Sequence, residues 1–170
     1  MPLVPFDQLP GSSRTWVFAS DRTLSSSQSA QLLSAVDQFL AEWKAHGEPL
    51  TVGRDWKHNR FLTVAVDQST AGASGCSIDG LFRILKSIEH RVGASLVTSG
   101  LVLYRDRSGA IRSVTRETFA KLARAGEVDR GTTVFDPSVT SLAEWRSNFE
   151  SDVAHSWHAS LIKEASTQPA

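Results

Sequence analysis

One cysteine, one methionine and one tyrosine stand among 170 residues. A single cysteine excludes an internal disulfide framework and a cysteine-based zinc site. A lone thiol fits a reducing compartment. No stretch approaches the ~20 apolar residues that span a bilayer. The start, Met1-Pro2-Leu3-Val4-Pro5-Phe6, has neither the basic region nor the apolar run of a signal peptide. The cytoplasm is the expected location, with no membrane partner. Neither sign of charge is in excess, since 18 Lys+Arg meet 18 Asp+Glu. That balance argues against nonspecific binding to nucleic acid, which uses a basic surface. No internal repeat is present.

What is present is periodicity. Prolines at 2, 5 and 10, then Gly11-Ser12-Ser13, mark residues 1–13 as an irregular arm. Arg14 to Ser20 is β-branched and aromatic, hence a strand. Ser25-Ser26-Ser27-Gln28 fits a capping box opening a helix. Leu32, Val36, Phe39, Leu40 and Trp43 form its apolar stripe. The pattern predicts that it runs to about His46 and ends at a left-handed Gly47. A weaker strand follows from Pro49 to about Trp56. A stronger one, Arg60 to Asp67, carries apolar side chains on both parities and is expected at the sheet centre. Lys57-His58-Asn59 is the turn between them. Ser77 to Val92 reads as a second helix, ended by Gly93. Leu101 to Arg105 reads as a strand that turns through Arg107-Ser108-Gly109 into Ala110 to Val114. A short helix, Arg116 to Ala125, an extended piece at Thr132 to Asp136, and helical turns between Leu142 and Ile162 complete the chain.

Strand, helix, strand, strand, helix, strand is the ferredoxin-like βαββαβ order. The expected fold is α+β: an antiparallel sheet with two helices on one face and a C-terminal β-hairpin and short-helix extension. The expected organisation is an arm (1–13), the ferredoxin-like core (14–105), an extension packed on that core (106–164) and a frayed tail (165–170).

One stretch concentrates chemistry at the step from strand to helix. Ser74-Gly75-Cys76-Ser77-Ile78-Asp79, with Phe39, Trp43, His46-Gly47 upstream and Ser156-Trp157-His158 downstream, resembles a family of uncharacterised bacterial proteins across most of residues 9–160. Some members bear the label of an ABC transporter ATPase. This chain lacks the Gly-x-x-x-x-Gly-Lys-Ser/Thr loop that such an activity needs, so the resemblance implies no activity. Residues 101–135 look like the second half of a GYF-type peptide-binding domain, without its Gly-Pro-Tyr/Phe signature.

Cys76 is the catalytic candidate, as a nucleophile at a helix start whose free N–H groups favour a thiolate. A helix terminus supplies about 0.3–1 kcal/mol, less than one pKa unit. Asp79 opposes even that. A reactive thiol therefore needs a further cation. His58 is expected at the far end of the sheet, and His155 or His158 would have to fold over the site. The plain alternative is a small buried cysteine. Ser74, Gly75, Ser77 and Asp79 are candidate ligand contacts, with helix capping as the alternative. His155 and His158, three apart, would share one face of a helix and could begin a metal site, or form a surface pair around Trp157. No metal and no cofactor is expected. Trp16 and Trp43 fall on core positions, whereas Trp56, Trp145 and Trp157 are candidates for exposure and for interfaces.

The expected function is a non-enzymatic binding or regulatory module acting through the loop 68–80 and nearby Trp residues. Its partner would be a protein, a small molecule or a second copy of the chain. A thiol-dependent enzyme or redox sensor using Cys76 is one alternative. A peptide- or RNA-interaction domain through 101–145 is the other, though RNA is disfavoured by the scarcity of aromatic stacking residues there.

Overall fold

A computed structural model of the protein describes residues 4–45, 48–49, 51–68, 75–96 and 100–162. The chain runs β1 (Arg14–Ala19), α1 (Ser26–Glu42), β2 (Lys44–Ala45), β3 (Glu48–Pro49), β4 (Thr51–Lys57), β5 (Phe61–Asp67), α2 (Gly75–Val92), β6 (Leu101–Arg105), β7 (Ile111–Thr115), α3 (Arg116–Arg124), β8 (Thr133–Phe135), α4 (Leu142–Asn148) and β9 (Glu150–Asp152). It divides into two compact units, Met1–Thr98 with Pro137–Glu144, and Ser99–Asp136 with Trp145–Ala170. The architecture is α+β, with antiparallel sheets in both units.

In the first unit β5 is the middle strand, in the order β1-β5-β4. Both neighbours pair with it antiparallel, so β1 and β4 run parallel on either side. Its apolar residues on both parities required a strand buried on both faces, and all six from Phe61 to Val66 are buried. Leu62, Val64 and Val66 share one face with Phe18 and Val52 and join a core with Leu32, Val36 and Leu40 of α1 and Leu81, Leu85 and Ile88 of α2. Both helices thus lie on that face. Each fully buried Leu or Val stabilises this layer by roughly 1.5–3 kcal/mol.

The start of α1 follows its sequence signature. The Gln28 N–H donates to Ser25 Oγ at 3.1 Å, and Gln28 Oε1 accepts from the Ser25 N–H at 2.8 Å. Its end does not. The helix stops at Glu42, and Trp43 is extended (ψ 126°). The indole turns into the core, 6.3 Å from Trp16 and 5.4 Å from Phe39 between ring centres. Lys44–Ala45 then pairs with Glu48–Pro49. Tertiary packing and this small ladder override the helical spacing that continued to His46. The expected terminator, Gly47, lies outside the described residues.

A buried guanidinium knits one end of the unit. Arg60 donates from Nε to the Ser20 carbonyl (3.0 Å) and from Nη2 to the Asp21 carbonyl (2.9 Å). The Leu24 N–H donates to the Asn59 carbonyl, and Asp21 and Ser95 join backbone to backbone. Gln28 Nε2 donates to the Val92 carbonyl at 2.5 Å, which brings the end of α2 to the same place. The β4–β5 turn needs left-handed backbone at both His58 (φ 58°) and Asn59 (φ 54°). On the helix side, Arg54 grips Asp37 of α1 with two bonds of 2.8 Å.

The other face of this sheet carries a row of small side chains, Thr15 opposite Ala65 and Ala65 opposite Gly53. The N-terminal arm crosses the Gly53 end of the row. The Val4 N–H donates to the Val52 carbonyl at 2.8 Å. A Cβ at Gly53 would stand 2.8 Å from the Val4 oxygen and 3.1 Å from Phe6 Cα. Gly53 is therefore glycine because the arm's backbone passes there.

In the second unit the sheet order is β7-β6-β8-β9. Leu101–Arg105 belongs here, so the expectation of a fourth strand in the first sheet is corrected. Its partners are β7, one tight turn away, and β8. Such local pairing costs little loop-closure entropy. The Asp106 carboxylate builds the turn by accepting the N–H groups of Ser108 and Ala110, and Gly109 takes φ 90°. Thr115 caps α3 by accepting from the Thr118 N–H. Val102, Tyr104, Phe119, Val128, Val134, Val153 and Leu161 form a separate core. The strand Glu150–Asp152 stands where the sequence reading had only helical turns.

Gly53→Val is expected to lower stability by about 1–3 kcal/mol, read by urea unfolding. An unchanged midpoint would mean that the arm does not need the missing side chain.

Candidate functional site

The strand-to-helix turn after β5 was the leading sequence candidate. Ser74 lies outside the described residues, as do the side chains of Cys76 and Ser77. Two backbone facts bear on them. First, α2 begins at Gly75 rather than at Ser77, so Cys76 stands inside the first turn. Second, Asp79, three residues on, is exposed.

His58 is no partner for this thiol. The contacts of Gln28 with Val92 and of Leu24 with Asn59 place the end of α2 beside the β4–β5 turn. The 18-residue helix then carries Cys76 about 25 Å away, at 1.5 Å per residue. The nearby aromatic candidates are also used structurally. Trp43 is buried, and Trp16 and Trp56 are partly buried against the same core.

The segment after β9 assembles more. Asp152 caps the 3₁₀ turn Val153–His155 by accepting the His155 N–H, and its carboxylate meets His155 Nδ1 at 2.5 Å. The His155 hydrogen bonds, led by that of the side chain, hold the Asp152 carboxyl below its ordinary range. The chain then turns, so His155 and His158 part company. The His155 side chain is 79% exposed, whereas His158 is wholly buried. The expected shared helix face is corrected, because a 3₁₀ turn and not an α-helix holds His155. Among the described residues, no three His, Cys, Asp or Glu side chains are grouped to hold a metal.

His158 is the unusual residue of this unit. Its Nδ1 lies 2.7 Å from Ser156 Oγ. The same hydroxyl accepts the His158 backbone N–H at 3.1 Å. The pairing is a local turn, not a nucleophile and its base: the imidazole is sealed from solvent, and its Nε2 is buried with no hydrogen-bond partner. The ring packs edge-on to Phe119 at 6.2 Å, and the Trp157 indole stacks on it at 3.9 Å. Burial pushes the imidazole down to about 4, against the pull of Asp136 and aided by the repulsion of Arg116. His158 is thus neutral at ordinary pH.

The other surface of this cluster is open. Trp157 is 38% exposed, the one large hydrophobic side chain so exposed among the described residues. The Arg116 guanidinium lies over its ring, 4.9 Å from the centre. Arg116 opens α3 and Trp157 follows the 3₁₀ turn Val153–His155, so residues 41 positions apart meet only in the folded unit. In the same unit Arg112 meets Asp106 at 2.8 Å and Lys121 meets Glu117 at 3.5 Å, whereas Arg105 and Arg107 donate to the carbonyls of Gly109 and Gly126. Arg116 has an indole instead. The sequence singled out Trp157 as a candidate for exposure and set Ser156-Trp157-His158 in its family pattern. It gave no sign that Arg116 is the partner.

No protein family, no curated protein and no solved structure matches the chain.

Two measurements check these assignments. A neutral buried histidine makes stability full above the unfolded pKa of 6.5 and reduces it as pH falls toward about 4, because the unfolded chain takes up a proton that the folded chain refuses. Urea unfolding is expected to show a slope of at most about 1.4 kcal/mol per pH unit across that window. The slope should shrink in His158→Gln, and an equal slope in the variant would remove the assignment. For Cys76, alkylation by iodoacetamide is expected to keep rising with pH above ~7, since the helix start alone cannot hold a thiolate. A rate that has already levelled off below ~7 would revive a catalytic thiol.

Proposed function

We propose that the protein is a non-catalytic binding module and that its contact surface lies in the second unit, at Trp157 and Arg116. The observation that carries this reading is the exposed indole that stacks on a buried, neutral His158 and lies under a guanidinium with no carboxylate partner among the described residues. Rigid aromatic side chains and arginines dominate the energetics of protein interfaces. A platform held by packing loses little entropy when a partner arrives. The separate core of this unit supports an interaction domain in the second half of the chain, as does its likeness in sequence to the second half of a GYF-type domain.

The loop 68–80 keeps a secondary place in the proposal, as do Ser74, Gly75, Ser77 and Asp79. For the first unit we propose a ferredoxin-like core with its fourth strand wanting. The order β1-β5-β4, with β1 and β4 parallel about β5, supports that reading. Membership of the bacterial family with the Ser-Gly-Cys-Ser-Ile-Asp core, and a cytoplasmic location, belong to the same proposal. No helix among the described residues is long and apolar enough to cross a membrane.

Selection from a random displayed-peptide library tests the contact surface. Peptides enriched on the wild-type protein are expected to lose binding by about tenfold or more to Trp157→Ala, a loss of about 1.4 kcal/mol or more. Circular dichroism should show the variant folded. Enriched peptides that bind the variant as well as the wild type would move the surface elsewhere.

A further inference from the structure

We infer that the partner at this surface is an acidic peptide segment, one that brings a carboxylate to Arg116 and an apolar side chain to the rim of Trp157. The inference rests on the contact surface proposed above.

Its first support is charge. Arg116 is exposed, its guanidinium is spent on a ring, and no carboxylate among the described residues pairs with it. A cation over an exposed indole gains about 0.5–1 kcal/mol. A charge-assisted bond to a carboxylate, often two-pronged, is worth about 1.5–3 kcal/mol where it excludes water. A carboxylate arriving from outside would therefore add to the indole contact or replace it at a gain.

The second support is the state of the ring. A nucleobase would need an open face of Trp157 to stack on. That ring already carries the His158 imidazole at 3.9 Å and the Arg116 guanidinium at 4.9 Å. With two groups already on the ring, its exposed rim suits an aliphatic side chain better than a base. Behind the ring, His158 is neutral because burial and Arg116 disfavour its charge. Of the two groups on the Trp157 ring, only Arg116 thus carries a charge.

The test uses a fluorescein-labelled peptide of Glu, Ser and Leu, its counterpart with every Glu replaced by Gln, and a labelled single-stranded oligonucleotide. Anisotropy titrations use the full chain as wild type, Arg116→Gln and Trp157→Ala. The acidic peptide is expected to bind at least about tenfold more tightly than its Gln counterpart, and Arg116→Gln is expected to erase that preference. The preference should also weaken as salt is raised. Equal binding of the two peptides, with Trp157→Ala weakening both, would overturn the acidic partner and leave the contact surface standing. Peptide binding indifferent to both substitutions would overturn the surface as well. Binding of the oligonucleotide alone, or of no probe, would contradict the inference.

Discussion

Burial of β5 on both faces is the constraint from which the first unit follows. Six consecutive residues from Phe61 to Val66 are shut away from water. A strand of that kind must have a neighbour on each side and a cover on each face, because its backbone groups have no other partners. β1 and β4 supply the neighbours, and α1 and α2 supply one cover. The Arg60 guanidinium then closes one end through the Ser20 and Asp21 carbonyls. On the opposite face the small row Thr15, Ala65 and Gly53 leaves room for backbone, and the arm crosses at Gly53.

The second unit obeys a different logic. Its sheet is built from local pairings, and its least ordinary feature is polar. A wholly buried imidazole with one unpartnered nitrogen costs about 1–3 kcal/mol relative to a satisfied group. Its compensation is packing, with Phe119 at the edge and Trp157 on the face. The consequence is a tryptophan that is exposed yet fixed. An exposed aromatic held in this way suits recognition better than chemistry. The hydroxyl beside the imidazole is engaged by its own turn, which leaves no free nucleophile there.

Much of the fold was legible in the sequence because it rests on local signals. The Ser25 to Gln28 box, the helix end at Gly93 and the two-sided apolar pattern of β5 are each decided within a few residues. The misreadings came from contacts between distant residues. Trp43 continued a helical spacing, yet its indole is drawn into the core beside Trp16. Leu101–Arg105 looked like the strand that completes a βαββαβ sheet, but the Asp106 turn pairs it with β7 first. The site was only half legible. Trp157 was one of three tryptophans, with Trp56 and Trp145, that the sequence left off the core positions. The Arg116 contact lies 41 residues away in sequence and carries no motif. His155 and His158 looked alike at a spacing of three, and only the 3₁₀ geometry separates an exposed histidine from a buried one.

The proposed recognition surface is the Trp157 indole with the Arg116 guanidinium, ahead of the strand-to-helix turn that holds the cysteine. Chemical-shift mapping with the acidic peptide measures this most directly. The indole N–H of Trp157 and the amides around Arg116 are expected to shift in saturable fashion, with Gly75 to Asp79 unmoved. Shifts concentrated at Gly75 to Asp79, with Trp157 silent, would contradict the proposal.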